Sequence, residues 1–448
     1  MEMVVCIVQR LIINNFGPIS HADLLLDKPV NIIIGQQATG KSTIAKVLYF
    51  CRKIKDYLFE YLLDNTLYRA QKAPIRSFMR QLNRKFADCF GSTKHMRSFY
   101  ILFDYNTQTE QSRLEITTEN DGMLKIKFSD SMEIKIETVI LESRDSFLKT
   151  HLNNEKGSIS LAEQRRILSI LFEKSTKDIV NEIFFDDYEI LYIPAGRSIL
   201  SLLSGSISQI RTSEMDLPMT EFIERIQSLK STFGSPIPDI IKYYSEYSND
   251  FEFDNNIKLA YSIIKRILRA DYVSDIDGDR LYYDKQHWIK LLYGSSGQQE
   301  SLWILLIMFL IILENRKSFV VLEEPEAHLY PEAQYSIVEL ISLMINITGS
   351  EIFLTTHSPY ILTAYNLLIH SGNVENRVPT HRAIVHECIR ANEESVNAYL
   401  IFADKFSNLR LLTDIETGMI DALEIDSISG KINSKTNDLI DLEIKYGL

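Results

Sequence analysis

The chain has 448 residues, 45% apolar and 24% charged, with only 17 glycines and 11 prolines. This composition supports a large buried core in two or three domains and excludes a linker-rich or low-complexity protein. The formal net charge of -12 argues against a surface that coats DNA generally, although a local basic groove would survive that average.

The four cysteines, Cys6, Cys51, Cys89 and Cys388, lack CxxC spacing. They suit neither a zinc site nor a disulfide framework and predict a reducing, cytoplasmic setting. The opening "MEMVVCIVQR" lacks the basic start and long apolar run of a signal peptide.

In chain order, "RLIINNFGPIS", "HADLLLD" and "VNIIIG" read as three short strands, the last apolar throughout as a buried strand would be. A long helix is predicted from about Lys41 through "LYFCRKIKDYLFEYLLDN". From Ser98 to Ile140 the pattern alternates and predicts an antiparallel meander that includes "EIKIETVI". From about Leu161 to Arg269 it is mainly helical, broken by one strand at Tyr188–Gly196, "YEILYIPAG". "RADYVSDIDGDRLYYD" predicts a hairpin with an Asp-Gly turn. The run "LWILLIMFLIIL", Leu302 to Leu313, is too short to span a bilayer and predicts a buried core helix, so no membrane partner is expected. After it come the strand "SFVVLEE", a helix to about Asn346, the strand "EIFLTTH", two strands at "RAIVHECIR" and "VNAYLIF", and a polar tail. No internal repeat or sustained heptad pattern is present.

"GQQATGKS", Gly35 to Ser42, fits G-x-x-x-x-G-K-[ST] without a mismatch, between an apolar strand and a helix. Gly35, Gln36, Gln37, Ala38, Thr39, Gly40, Lys41, Ser42 and Thr43 would wrap the phosphates of ATP. Backbone N–H groups and the helix end face the β-phosphate, Lys41 supplies a point charge, and the Ser42 hydroxyl ligates Mg²⁺. "FVVLEEPE" ends an apolar strand in two carboxylates: Glu323 suits the Mg²⁺ side and Glu324 suits polarising an attacking water. Alone, such a strand end could equally be a solvated charged cap. "SSGQQE" opens the apolar helix, with Ser295 or Ser296 as its cap and Gly297 permitting close backbone approach, which makes either a plain N-cap or a second anion site.

The order of phosphate loop, long insertion, serine–glycine turn, strand with acids and strand with His357 resembles the ABC-type ATPase head, including its SMC, RecF and OLD relatives. The resemblance implies an α/β fold: a mixed β-sheet core carrying the phosphate loop, an antiparallel β subdomain and a helical insertion. Its divisions would be residues 1–150 (first ATPase lobe), 151–290 (helical insertion with strand 188–196), 291–380 (lobe of signature, acids and switch histidine) and 381–448 (C-terminal strands and a tail that could dock a partner). "SSGQQ" stands at the signature position, so Ser295, Ser296, Gly297 and Gln298 would meet the γ-phosphate of ATP held by a second copy. Lys41, Glu324 and His357 would carry catalysis, and Ser42 and Glu323 the metal. Departures from the family are Glu323 where many members carry Asp, Gln298 where a second glycine is usual, and no clear Q-loop glutamine. "YIPAGRS" stands where that loop belongs, leaving Arg197 open as either a nucleotide contact or a structural arginine.

"EEPEAHLYPEAQ" and "TTHSPYIL" look like OLD-type ATPases of bacterial anti-phage systems, in particular the ATPase subunits of Septu and, next, of PARIS. That resemblance implies an oligomeric sensor or scaffold that controls a separate nuclease subunit, HNH-type or Toprim-type, with nucleic acid reached through that partner. The alternative is a RecF-like repair ATPase that clamps DNA itself. "DIDGD" reads as a turn and "HLNN" as a loop, so neither predicts a nuclease site.

Overall fold

The computed structural model describes residues 8–68, 74–96, 98–108, 112–118, 123–152, 174, 176–202, 215–247, 251–375, 384–402, 409–421 and 434–435. The fold is α/β and is built on two main sheets.

Strands β1 (Gln9–Phe16), β2 (Ile19–Leu26) and β3 (Val30–Gly35) come first, then helices α1 (Lys41–Tyr68) and α2 (Pro74–Phe90). Strands β4 (Tyr100–Asp104), β5 (Arg113–Thr118) and β6 (Leu124–Phe128) follow, and β1, β2, β4, β5 and β6 form an antiparallel sheet in the order β2-β1-β4-β5-β6. The meander stops there. "EIKIETVI", expected to continue it as a strand, lies in a helix, α3 (Asp130–Leu152). Met132, Ile136, Val139 and Ile140 are buried at helical spacing, while Ile134 is 64% exposed, so the 3.6-residue period overrides the apparent alternation.

The second sheet has six strands in the order β14-β13-β3-β12-β11-β7, drawn from the whole chain: β7 (Glu189–Ile193), β11 (Ser318–Glu323), β12 (Glu351–Thr356), β13 (Val396–Ile401) and β14 (Leu409–Leu411) join β3. All are parallel except β14, which runs antiparallel to β13. β11 is buried along its full length and β3 along all but its last residue, as expected for strands covered on both faces. One face carries Ile33, Val321 and Phe353 into a core shared with α1, α2 and the antiparallel sheet. The other carries Ile32, Leu322 and Leu354 into a helical core.

That helical core contains α4 (Leu217–Lys230), α5 (Ile237–Tyr247), α6 (Phe251–Leu268), α7 (Ser296–Leu313), α8 (Pro331–Thr348) and α9 (Pro359–Glu375). Every side chain of α7 from Glu300 to Leu313 is buried. A helix apolar on all sides must lie at the centre, and α7 does. It is the one helix among the described residues long and apolar enough to cross a membrane by composition. Proline at the first position of α8 and left-handed Gly349 after its last turn set its limits.

The predicted hairpin forms from β8 (Asp271–Asp275) and β9 (Gly278–Tyr282), and a third strand, β10 (Trp288–Lys290), joins it. "RAIVHECIR" is not a strand in its described part, where Glu387–Ile389 makes a single 3₁₀ turn with Val385 and Ile389 buried. Half of "HLNN" and most of the polar tail lie outside the described residues.

Candidate functional site

Strand register brings the three motif-bearing segments together. Glu323 pairs with Thr355, and Thr356 pairs with Ile34. The carboxyl ends of β11, β12 and β3 therefore lie side by side, where open parallel sheets place their ligands. Gly35 at the end of β3 lies so close to β13 that a Cβ there would meet the Ile401 carbonyl at 2.2 Å, so only glycine lets the loop leave the sheet at this point.

Residues Gly35 to Thr43 form the loop and the first turn of α1. Gln36, Gln37, Ala38 and Ser42 are exposed, and Gly35 and Thr43 are half-buried. Buried Thr39 braces the loop by donating to the Gln36 carbonyl at 2.9 Å. The Lys41 ammonium donates to the carbonyls of Gly35 at 2.9 Å and Gln36 at 2.8 Å, and sits 3.4 Å from His357 Nδ1. Burial lowers its pKa, and the carboxylates of Glu324, Glu326 and Glu323 oppose that shift.

His357 Nε2 lies 3.0 Å from Glu324 Oε1. An ammonium can only donate, so Nδ1 is the acceptor toward Lys41 and the imidazole proton belongs on Nε2, facing the carboxylate. Glu324 itself has φ +43, an uncommon conformation for a residue with a side chain, and its N–H donates to the Thr355 carbonyl at 2.9 Å.

Glu326, the last acid of "EEPE", anchors the histidine turn. Its Oε1 accepts from the Thr356 hydroxyl at 2.7 Å and the His357 N–H at 2.6 Å, fixing the turn that carries the imidazole. Thr356 and His357 are on a different strand, so no local pattern in "EEPE" reveals the contact.

Glu323 is 5% exposed; its Oε2 accepts from the Ala195 N–H at 3.2 Å, and the buried Tyr192 hydroxyl lies beside its carboxylate. A buried carboxylate at the strand end, with the exposed Ser42 hydroxyl on the neighbouring helix start, is an oxygen donor set that fits a hard divalent cation. Ser42 and Glu323 would hold Mg²⁺, directly or through water, and the ion would neutralise phosphate charge.

The serine–glycine turn lies apart from this cluster. Ser295 caps α7 in a reciprocal capping box with Gln298. The Gln298 side chain accepts from the Ser295 N–H at 3.0 Å and donates to the Leu268 carbonyl at 2.8 Å. The Gln298 side chain is thus engaged in holding the turn in place. Ser295 and Ser296 are exposed. Gly297 packs against the chain after the acids, where a Cβ would meet the His328 carbonyl at 2.9 Å. A cleft of about 700 Å³ opens beside the turn, lined by Ser295, Gly297, Arg266, Arg269, Tyr283 and Tyr330 among others.

Of the two readings left open for Arg197, its surroundings fit the structural one. It is fully buried and donates to the carbonyls of Pro194, Glu300, Glu323 and Glu324, so the guanidinium stands behind the acids and does not face the phosphate loop. "DIDGD" is a turn, with Asp275 and Asp277 paired to Arg280 and Asp279 accepting from Tyr272, Ser274 and Lys230.

A strand–loop–helix phosphate cradle with a lysine, two strand-end acids and a histidine defines a phosphate-loop ATPase. The chain belongs to the AAA ATPase domain family, whose model matches residues 7–362. It is similar to an SMC head solved bound to the C-winged helix domain of ScpA, with TM-score 0.39 and 11% identity, covering 91% of this chain and 97% of that one. It is similar also to the SMC head domain of Thermotoga maritima, with TM-score 0.35 and 11% identity over 90% and 98% of the two chains. The recombination mediator RecF gives TM-score 0.34 and 11% identity over 90% and 98%. Among the curated proteins none matches.

Proposed function

We propose that two copies of this ATPase close face to face on ATP, each laying Ser296 and Gly297 against the triphosphate in the other's phosphate loop, and that the closed form controls a separate nuclease subunit. The observation that carries the pairing is the exposure of the signature turn: Ser295 and Ser296 are open to solvent at the N-terminus of an 18-residue helix, with half-buried Gly297 beside them. In each site Lys41 holds the β- and γ-oxygens, Glu324 polarises water, and His357 senses the γ-phosphate between them. A defence role draws its support from the wording of "EEPEAHLYPEAQ" and "TTHSPYIL".

Glu324→Gln tests the site and the pairing together. The variant should bind ATP, lose turnover by about a hundredfold or more, and sediment as a dimer with ATP and Mg²⁺ but not with ADP. Adding Ser296→Arg should return it to monomer. Normal turnover by Glu324→Gln would refute the assignment of the acids, and an ATP complex that stays monomeric would refute the pairing. Co-expression with a nuclease encoded beside it should give a complex that co-purifies.

A second reading, direct DNA clamping, is favoured by the two arginines and two tyrosines lining the signature-side cleft. It predicts ATP-dependent DNA binding that weakens steeply with salt, whereas the first reading predicts none for the isolated chain.

A further inference from the structure

Arg197 touches two segments that serve different nucleotides in a face-to-face pair. On one side is Glu300, 2% exposed, in the second turn of α7 behind the signature turn. Glu300 Oε2 accepts from the Arg197 N–H at 3.0 Å, its Oε1 from the Ser198 N–H at 3.1 Å, and its backbone carbonyl from Arg197 Nε at 3.0 Å. On the other side, Nη1 donates to the Glu323 carbonyl at 2.7 Å and Nη2 to the Glu324 carbonyl at 3.0 Å. The same turn reaches the metal-side acid, since the Ala195 N–H donates to Glu323 Oε2.

We infer that Arg197 is a positioning residue coupling the two ATP sites of the pair: the seating of α7 on the partner's triphosphate is carried through Glu300 and Arg197 to the Glu324 carboxylate beside the chain's own ATP. This rests on the pairing proposed above and adds its regulation. Four features make the bracket suited to the task. It is dry, so its charge-assisted bonds are strong and stiff. Arg197 is held from the backbone as well as the side chain, so a shift of α7 cannot be absorbed by rotamer change alone. The planar guanidinium fixes its donors in one fork, so displacement at Glu300 moves the bonds to the acids. Finally, the receiving residue sits at φ +43, where the surrounding contacts alone hold the backbone and a small carbonyl displacement re-aims the side chain.

The guanidinium does not face the phosphate loop, so its loss should spare nucleotide binding. The test uses the full chain carrying Arg197→Lys, with ATP affinity, ATP-driven pairing, kcat, KM and the Hill coefficient for ATP all measured. Lysine keeps the charge and loses the fork. Affinity and KM should stay within about twofold and pairing should persist. At the same time kcat should fall by about tenfold to a hundredfold, and the Hill coefficient should drop from above one in the wild type to one. Glu300→Gln preserves side-chain volume but replaces one acceptor by a donor, should give the same pattern, and decides the matter if Arg197→Lys does not fold. A wild-type Hill coefficient of one, unchanged kcat in folded variants, or a fall in kcat with the Hill coefficient retained would each overturn the coupling. Failure of the wild-type chain to pair on ATP would instead bring down the reading beneath it.

Discussion

At the scale of single residues, Lys41 has the environment with the clearest experimental consequence. Burial lowers its pKa in the free protein, and a bound triphosphate adds the negative charge that raises it again. Affinity should therefore stay level while free Lys41 remains protonated. It should weaken by up to about tenfold per pH unit once pH passes the lowered free value, until the higher pKa of the complex is reached. Titration calorimetry at rising alkaline pH checks this, with proton uptake on binding appearing in the same window. Flat affinity throughout would mean that Lys41 is not the group answering the phosphate, and Lys41→Ala should remove binding altogether. Lys41, Glu323, Glu324 and His357 were legible in the sequence because each sits in a motif whose spacing restricts its chemistry. Glu326 and Arg197 were not. Their partners are brought to them by strand register across thirty or thirty-one positions for Glu326 and more than a hundred for most of those of Arg197, and no local pattern could decide between the two readings of that arginine.

At the scale of elements, the strands of the parallel sheet were readable because burial on both faces leaves near-continuous apolar runs. The α3 segment misled because "EIKIETVI" satisfies a two-residue period over a few positions, and only its packing reveals the longer helical one. β10 escaped notice because three residues are too short to carry a pattern. The joint between α1 and the parallel sheet was equally hidden. Arg52 on α1 is fully buried, bonded to Asp186 at 2.7 Å and Glu351 at 2.9 Å, with its guanidinium 3.8 Å above the Phe319 ring. Burial alone would lower its pKa, but the two carboxylates outweigh that and hold it above the ordinary arginine value. Arg52→Met should leave Asp186 buried without its cation and cost about 3–5 kcal/mol, read as a lower urea midpoint. A change below about 1 kcal/mol would show that the site rearranges or hydrates freely.

At the scale of the whole molecule, the proposed pairing would complete each nucleotide pocket with a second copy and so make turnover depend on encounter. Specific ATPase activity should rise with protein concentration and level off once pairing is complete. In mixtures with excess Lys41→Ala protein it should depart from simple dilution. Activity strictly proportional to enzyme across a thousandfold range would mean that one chain is sufficient.

The sheet order has a further consequence for how the protein is made. On a ribosome the antiparallel sheet can close as soon as Phe128 has emerged. Strand β3, however, lies between β12 and β13, and neither exists until the chain has grown past Thr356 and Ile401. Until then an apolar strand and the loop beyond it have no sheet to join, and the nascent chain carries an adhesive edge. Competence to bind nucleotide then waits until the chain has grown past Ile401.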